Sequence, residues 1–394
     1  MEKMTLRDID VQGKRVFVRV DFNVPFNEEG EVADDTRIRA ALPTIGYLID
    51  RGARVILASH LGRPKGKPDP RFSLRPVAGR LSALLGREVG FAGDCVGPAA
   101  QDSVRAMSDG DVTVLENLRF HPEEEVNDPE FAGAMASLAD VYVNDAFGTA
   151  HRAHASTAGI PAHIPAVAGF LLEKELTSLG MLVSEPAPPF VAIVGGAKIS
   201  DKIGVLERLM ARADCLIIGG GMANTFLAAQ GKDMAQSLVE TDRLDVARGL
   251  LEKVAREKMD LLLPVDLVAA PSRDQADRRE IVDTDSVPEG WMALDIGPRS
   301  VELFGKRIRE AKTVFWNGPM GLFEVSGFDA GTQGVAEATA ESDGVTIIGG
   351  GDTVRAINQA GLADRVTHLS TGGGASLKMV EGKKLPGVEA LNSR

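Results

Sequence analysis

Short apolar runs recur along the chain, and longer stretches of helical spacing separate them. In the first half the runs are Val16–Val20, Val55–Ala58, Val112–Leu115 and Val141–Val143. In the second half they are Val191–Val194, Cys215–Ile218, Leu261–Val265, Thr313–Trp316 and Val345–Ile348. Helical spacing occupies Arg37–Arg51, Leu74–Leu85, Lys202–Ala211 and Arg243–Lys258. Runs rich in β-branched residues and free of alternation read as strands buried on both faces. With helices between them, they predict parallel sheets covered by helices. The predicted class is α/β in both halves, with no repeat of solenoid period.

The junction between the halves is readable. Leu171–Val183 spaces Leu172, Leu176, Leu179 and Val183 on one helical face. Three prolines in Glu185–Phe190 then end the helix before the next strand. Such a helix serves either as a hinge lever or as a packed connector.

A length of 394 residues exceeds one ordinary core and predicts two domains. The net charge of −12 argues against general nucleic-acid binding but leaves room for a local basic pocket. Two cysteines, Cys95 and Cys215, exclude a disulfide framework and a Cys-based zinc site, and fit a reducing compartment. The charged N-terminus lacks a signal-peptide core, and no apolar run approaches the roughly 18 residues of a membrane span. A cytoplasmic protein is expected.

Ligands of open α/β sheets bind beyond the carboxyl ends of the strands, so the residues there form a set. In the first half they include Asp21, Asn23, His60, Arg63, Arg119, His151, Arg152 and His154, with Arg37 at the start of the next helix. Guanidinium binds phosphate and carboxylate through paired hydrogen bonds, so this set fits a small, multiply anionic molecule. Any single arginine could instead be solvated. His151 and His154 near Asp145 match no zinc spacing. His60 reads as a donor to an anionic substrate or as a satisfied structural histidine.

In the second half four strand ends are glycine-rich: Val191–Lys202, Cys215–Asn224, Val345–Thr353 and His368–Ser376. Bare backbone N–H groups at a helix N-terminus favour phosphate, so four such turns predict a nucleotide site. Lys198 and Lys202 follow the first turn and would share a face if a helix begins there. Asp352 and Thr353 could cap a helix, and Asp352 could also hold Mg²⁺. Glu324, after Trp316–Asn317, could accept from ribose hydroxyls or stay solvated. There is no G-x-x-x-x-G-K-[ST], no kinase H-R-D or D-F-G, no G-x-S-x-G, and no G-x-G-x-x-G after the first strand.

These residues resemble one family, phosphoglycerate kinase. The resemblance rests on RVDFNVP, DTRIRAALPTI, ASHLGRPKG, LENLRFHPEE, YVNDAFGTAHRAHAST, GFLLEKEL, VGGAKISDKI, IIGGGMANTFL, FWNGPMGLFE, IIGGGDTV and STGGGASL. These stand in the family's order and cover essentially the whole chain. The resemblance implies two Rossmann-like three-layer domains joined by a hinge helix. Its boundaries are 1–170 for 3-phosphoglycerate, 171–186 for the hinge, 187–380 for the Mg-nucleotide and 381–394 for a tail returning to the first domain. The acid substrate would contact Asp21, Asn23, Arg37, His60, Arg63, Arg119 and Arg152. The nucleotide would contact Lys198, Lys202, Gly219, Gly220, Gly297, Asn317, Glu324, Gly350, Gly351, Asp352 and Thr353, with Asp352 on Mg²⁺. Arg37, Lys198, Gly351 and Gly373 would stabilise the transferring phosphoryl group, after hinge closure, in a monomer. The rival readings are a nicotinamide-dependent dehydrogenase, which needs the missing dinucleotide fingerprint, and a non-catalytic nucleotide sensor, which has no use for the arginines.

Overall fold

The β-branched runs assemble into two six-stranded parallel sheets in a computed structural model that describes residues 2–257 and 259–394. Met1 and Lys258 lie outside the described residues, so the last position expected for the helix over 243–258 is not placed. The strands are β1 (Arg15–Arg19), β2 (Arg54–Ala58), β3 (Gly90–Ala92), β4 (Val112–Leu115), β5 (Val141–Asn144) and β6 (Ala166–Ala168) in the first sheet. The second sheet holds β7 (Phe190–Val194), β8 (Cys215–Ile218), β9 (Asp260–Leu262), β13 (Thr313–Asn317), β14 (Val345–Gly349) and β15 (His368–Leu369). Between β9 and β13 come β10 (Asp266–Ala270), β11 (Glu280–Asp283) and β12 (Met292–Ile296), which form a small antiparallel sheet.

The first sheet has the order β3-β4-β2-β1-β5-β6 and the second β15-β14-β13-β7-β8-β9. Each chain path starts in the middle, runs to one edge, then restarts on the other side of its first strand. The reversal lies between β1 and β5 in one sheet and between β7 and β13 in the other. Both are switch points of the kind that hold ligands in open α/β sheets. Central strands are buried on both faces: Val16, Phe17 and Val18 of β1, and Val314, Phe315 and Trp316 of β13, have no exposed surface. Each such side chain contributes roughly 1.5–3 kcal/mol of burial.

The chain divides into two compact units, Met1–Thr177 with Lys384–Arg394, and Ser178–Lys383. The division falls inside the helix Phe170–Val183. Asp145 Oδ1 accepts from Leu171 N at 2.9 Å and Thr44 Oγ1 from Phe170 N at 2.9 Å, which satisfies the start of that helix. The C-terminal segment pairs within the first unit: Asn144 Nδ2 donates to Gly387 O at 3.0 Å, and Met4 N to Asn392 O at 2.8 Å.

The antiparallel sheet was not expected from the sequence. Each of its strands carries an Asp, and the apolar run Leu267–Ala270 of β10 follows Leu261–Val265 with only Asp266 between, so it does not stand out as a separate strand. Asp266 of β10 caps the helix Pro298–Glu310 by accepting from Ser300 N at 2.8 Å and Arg299 N at 3.0 Å.

Candidate active site

Parallel register sets the strand exits of the first sheet side by side, with Arg19 opposite both Ala58 and Asn144. Beyond them Arg37 Nη1 donates to Asp21 Oδ2 at 3.1 Å and to Asn23 O at 3.2 Å. Asn23 Oδ1 accepts from Gly62 N at 2.9 Å, and Gly62 O accepts from Arg119 Nη1 at 2.9 Å. Arg37, Asp21, Asn23, the Gly62 backbone and Arg119 therefore form one hydrogen-bonded chain. Asn117 holds the same loop, donating to Leu61 O at 2.7 Å and Phe72 O at 2.9 Å. Arg152 donates to His151 Nε2 at 3.3 Å. Arg63 is exposed and, among the described residues, stands outside this chain.

His60 is 6% exposed at the centre of the group. Burial lowers its pKa well below 6.5, and the charges of Arg19, Arg119, Arg37 and Arg152 push the same way. Its Nδ1 lies 3.3 Å from Arg19 Nη2, which can only donate. Nδ1 is therefore the acceptor, and the proton sits on Nε2. A neutral ring also makes no ion pair with Asp21, whose Oδ1 is 3.9 Å away. Between pH 6.5 and the lower folded value, the unfolded chain holds the extra proton. The stability linked to His60 thus falls as the pH drops below 6.5. Ring NMR shifts are expected to show a neutral Nε2–H tautomer from about pH 8 to about pH 6. A midpoint near the ordinary value would refute this electrostatic account.

Arg19 was not among the expected residues, although a charge inside a doubly buried run was a usable signal. It is 1% exposed. Its Nε donates to Ser156 Oγ at 2.8 Å, and Ser156 passes a 2.6 Å bond to the buried carboxylate of Glu124. Arg119 is 7% exposed, and its Nε comes within 3.2 Å of Glu125. That contact is an ion pair without a hydrogen bond, and this buried N–H has no hydrogen-bond partner among the described residues. Buried donors are seldom left so.

In the second unit, Asn317 stands opposite Val194 and Gly349, at the β7/β13 switch point. Lys202 Nζ donates to Gly195 O at 2.7 Å and Asn317 O at 3.1 Å. Burial lowers its pKa to about 8. The adjoining helix begins only at Ile203, so Lys198 and Lys202 do not share a helical face. Lys202 turns back onto the strand ends and Lys198 is exposed. Asn317 is 2% exposed, and its Nδ2 has no hydrogen-bond partner among the described residues. A Cβ at Gly350 would lie 2.8 Å from that nitrogen.

The turn Gly350–Thr353 opens the helix Gly351–Gln359, with Gly350 at φ +91° as its N-cap. Thr353 Oγ1 accepts from Gly318 N at 2.6 Å and ties this turn to the end of β13. The Asp352 carboxylate is 66% exposed and shares Arg355 with Glu324, at 3.1 and 3.0 Å. This exposed carboxylate, whose one ion-pair partner is itself exposed, has the oxygen-donor chemistry of a magnesium ligand. Gly373, at φ +48°, precedes the helix Gly374–Val380.

A cavity of about 470 Å³ opens beside these turns. Gly196, Gly220, Leu238, Met292, Leu294 and Met320 are among its lining residues, and Glu324 and Asp352 lie at it too. Apolar walls with a few polar groups suit a flat heterocycle. Gly219 and Gly297 do not line it. A Cβ on Gly219 would meet Met320 Sδ at 2.4 Å, and one on Gly297 would meet Asp266 Cγ at 2.3 Å. Both glycines are required by packing. Asp295, also on the wall, accepts from Gly331 N at 2.7 Å, and burial raises its pKa to about 7. It was missed because the antiparallel sheet that carries it was missed.

A sequence profile of the family described as Phosphoglycerate kinase matches residues 6–383. The phosphoglycerate kinase of Desulforudis audaxviator is 64% identical over 394 residues, all of both chains. The chain belongs to the phosphoglycerate kinase family. That of Pelotomaculum thermopropionicum is 59% identical over 391 residues, 99% of each chain. Among solved structures, phosphoglycerate kinase from Coxiella burnetii superposes with a TM-score of 0.90 at 41% identity, over 98% of both chains. The chain thus has phosphoglycerate kinase activity and is an ATP-binding transferase of glycolysis. The dehydrogenase and sensor readings fall away. Among the described residues no helix is long and apolar enough to cross a membrane.

Proposed function

We propose that the first unit binds 3-phosphoglycerate or 1,3-bisphosphoglycerate and the second binds ADP or ATP with Mg²⁺. The observation that supports this most is shared by both units: beyond the strand exits of each sheet a buried donor, Arg119 Nε in the first and Asn317 Nδ2 in the second, has no hydrogen-bond partner among the described residues. Anionic oxygens of a ligand would satisfy both. Asp21, Asn23, Arg37, His60, Arg63, Arg119 and Arg152 receive the acid substrate, with neutral His60 donating from Nε2. Lys198, Lys202, Asn317 and the turn Gly350–Thr353 receive the phosphates. Gly220 and Glu324 border the nucleoside, with Gly219 and Gly297 backing the wall. Asp352 holds the Mg²⁺, which when bound neutralises phosphate oxygens.

The reaction needs no side-chain nucleophile, because an acyl phosphate is already a reactive donor. A terminal ADP oxygen attacks its phosphorus in line, and the 3-phosphoglycerate carboxylate leaves. Charge spreads over the equatorial oxygens of the phosphoryl group, so catalysis is positioning plus fixed positive potential. Arg37, Lys198 and the N–H groups near Gly351 and Gly373 supply that potential. Ligands held by different units must be brought in line, so closure about 171–186 accompanies transfer and excludes water. We place this chemistry in a cytoplasmic monomer.

Binding calorimetry separates the two ligands. Arg119→Ala is expected to weaken 3-phosphoglycerate about 10–100-fold and leave Mg-ADP unchanged, with Lys202→Met doing the reverse. Lys202 adds a proton signature. Above pH 8 it is mostly neutral, and a bound phosphate raises its pKa again. At about pH 9 nucleotide binding should take up nearly one proton, and Lys202→Met should take up none. Equal loss of both ligands in either variant would overturn the assignment.

A further inference from the structure

One cluster of metal-ligand side chains lies away from the switch points. Asp94 and Cys95 follow β3, and His121 comes six residues after β4, the neighbouring strand in the sheet. Parallel pairing of Ala92 with Leu115 brings the two exits together at the outer end of the first sheet. A carboxylate oxygen of Asp94, Cys95 Sγ and a ring nitrogen of His121 all lie within 4.8 Å of one another. No other such group occurs among the described residues. None of the three takes part in the chemistry above.

We propose that Asp94, Cys95 and His121 form a binding site for one zinc-class divalent cation. Bonds of about 2.0 Å to N and O and about 2.3 Å to S place tetrahedral ligands roughly 3.3–3.8 Å apart. Asp94 Oδ1 is 2.7 Å from His121 Nε2, and an N–O pair stands at the short end of that range, so a cation must part them by roughly 0.6 Å. They can give way, because their side chains are 43% and 28% exposed. Cys95 is fully buried and fixed by its N–H, which donates to Asp94 Oδ1 at 2.6 Å. Solvent on the open side supplies a fourth ligand.

The donor set selects the cation. One carboxylate, one imidazole and one thiol suit a borderline-soft ion, whereas Mg²⁺ takes oxygen alone. Burial and the charges of Asp94 and Glu124 raise the Cys95 thiol. Binding releases the thiol proton, and the Asp94–His121 hydrogen bond is replaced by two metal bonds. Two cysteines in the chain had argued against a Cys-based zinc site. A single cysteine completed by Asp and His meets the need another way.

The test uses the full chain with Co²⁺ as probe, in excess Mg²⁺ so that oxygen-only sites are filled. One Co²⁺ per chain is expected, with a thiolate-to-metal charge-transfer band that one equivalent of Zn²⁺ removes. The band should vanish in Cys95→Ser and persist in Cys215→Ser. Asp94→Asn and His121→Gln, at partly exposed positions, should bind at least about tenfold more weakly, since losing even an outer partner costs that much. Absence of the band in the unaltered chain overturns the proposal. So does its persistence in Cys95→Ser, or unchanged affinity in both other variants.

Discussion

Replacing Arg37 with Ala is expected to lower kcat by about 10²–10³ while the fold survives. Arg37 lies in the first turn of the helix Thr36–Asp50, so its backbone is fixed while its side chain, 39% exposed, reaches into the crevice. Only one nitrogen, Nη1, is spent on Asp21 and the Asn23 carbonyl. The other N–H groups remain for a ligand. The Asp21 side chain is only 13% exposed, so losing its partner costs some stability as well, and the fold is checked alongside kcat. The alternative is that Arg37 merely orders the Asp21–Asn23 loop. In that case Arg37→Ala raises the KM for 3-phosphoglycerate and spares kcat. A drop in kcat at saturating substrate marks stabilisation of the transferring group. Arg37→Lys should recover part of it, because charge returns without the planar fork. Near-normal kcat in Arg37→Ala would remove Arg37 from the mechanism.

What the sequence made legible was whatever repeats a simple period. The run Val16–Val20 is β1 displaced by one residue, and Val112–Leu115 is β4 as expected. The glycine turns stood out because a strand exit beside phosphate or beside another strand admits no side chain. Three things were not legible, each for a physical reason. In the sheet β10–β12 the apolar run Leu267–Ala270 follows Leu261–Val265 with only Asp266 between, β11 is largely exposed, and Asp295 breaks the apolar positions of β12, so no separate strands stand out. The cavity wall depends on it, since Met292 and Leu294 come from β12. The role of Arg19 lies in contacts with Ser156 and His60, distant along the chain. Finally, a conditional expectation placed Lys198 and Lys202 on one helix. The chain instead turns at 199–202, where Lys202 N donates to Ile199 O, and the helix starts one residue later. That turn is what sends Lys202 back to the switch point.

Two glycines in similar turns should respond oppositely to one methyl group. Gly220 sits at φ +68°, and its Cβ would lie 2.6 Å from Gly196 O and 2.8 Å from Gly196 N. Those are backbone atoms of the turn after β7 and cannot rotate away. The left-handed conformation costs about 1–2 kcal/mol for a residue with a Cβ, and overpacking adds about 1–3 kcal/mol. Gly220→Ala should therefore lose about 2–5 kcal/mol of stability in the second unit, read from its denaturant midpoint. It should also raise the KM for nucleotide, because Gly196 and Gly220 both line the cavity. Gly351 has ordinary helical geometry and nothing within 4 Å of a built Cβ. The protein itself does not need a glycine there, and Ala in a helix is favoured by about 0.5–1 kcal/mol. If a phosphate lies against that helix N-terminus, the added methyl occupies its approach. Gly351→Ala should then keep or raise stability while impairing nucleotide use. A stable Gly351→Ala with unchanged kcat and nucleotide KM would show that the turn is bare for another reason, and the phosphate would have to lie elsewhere along the strand exits.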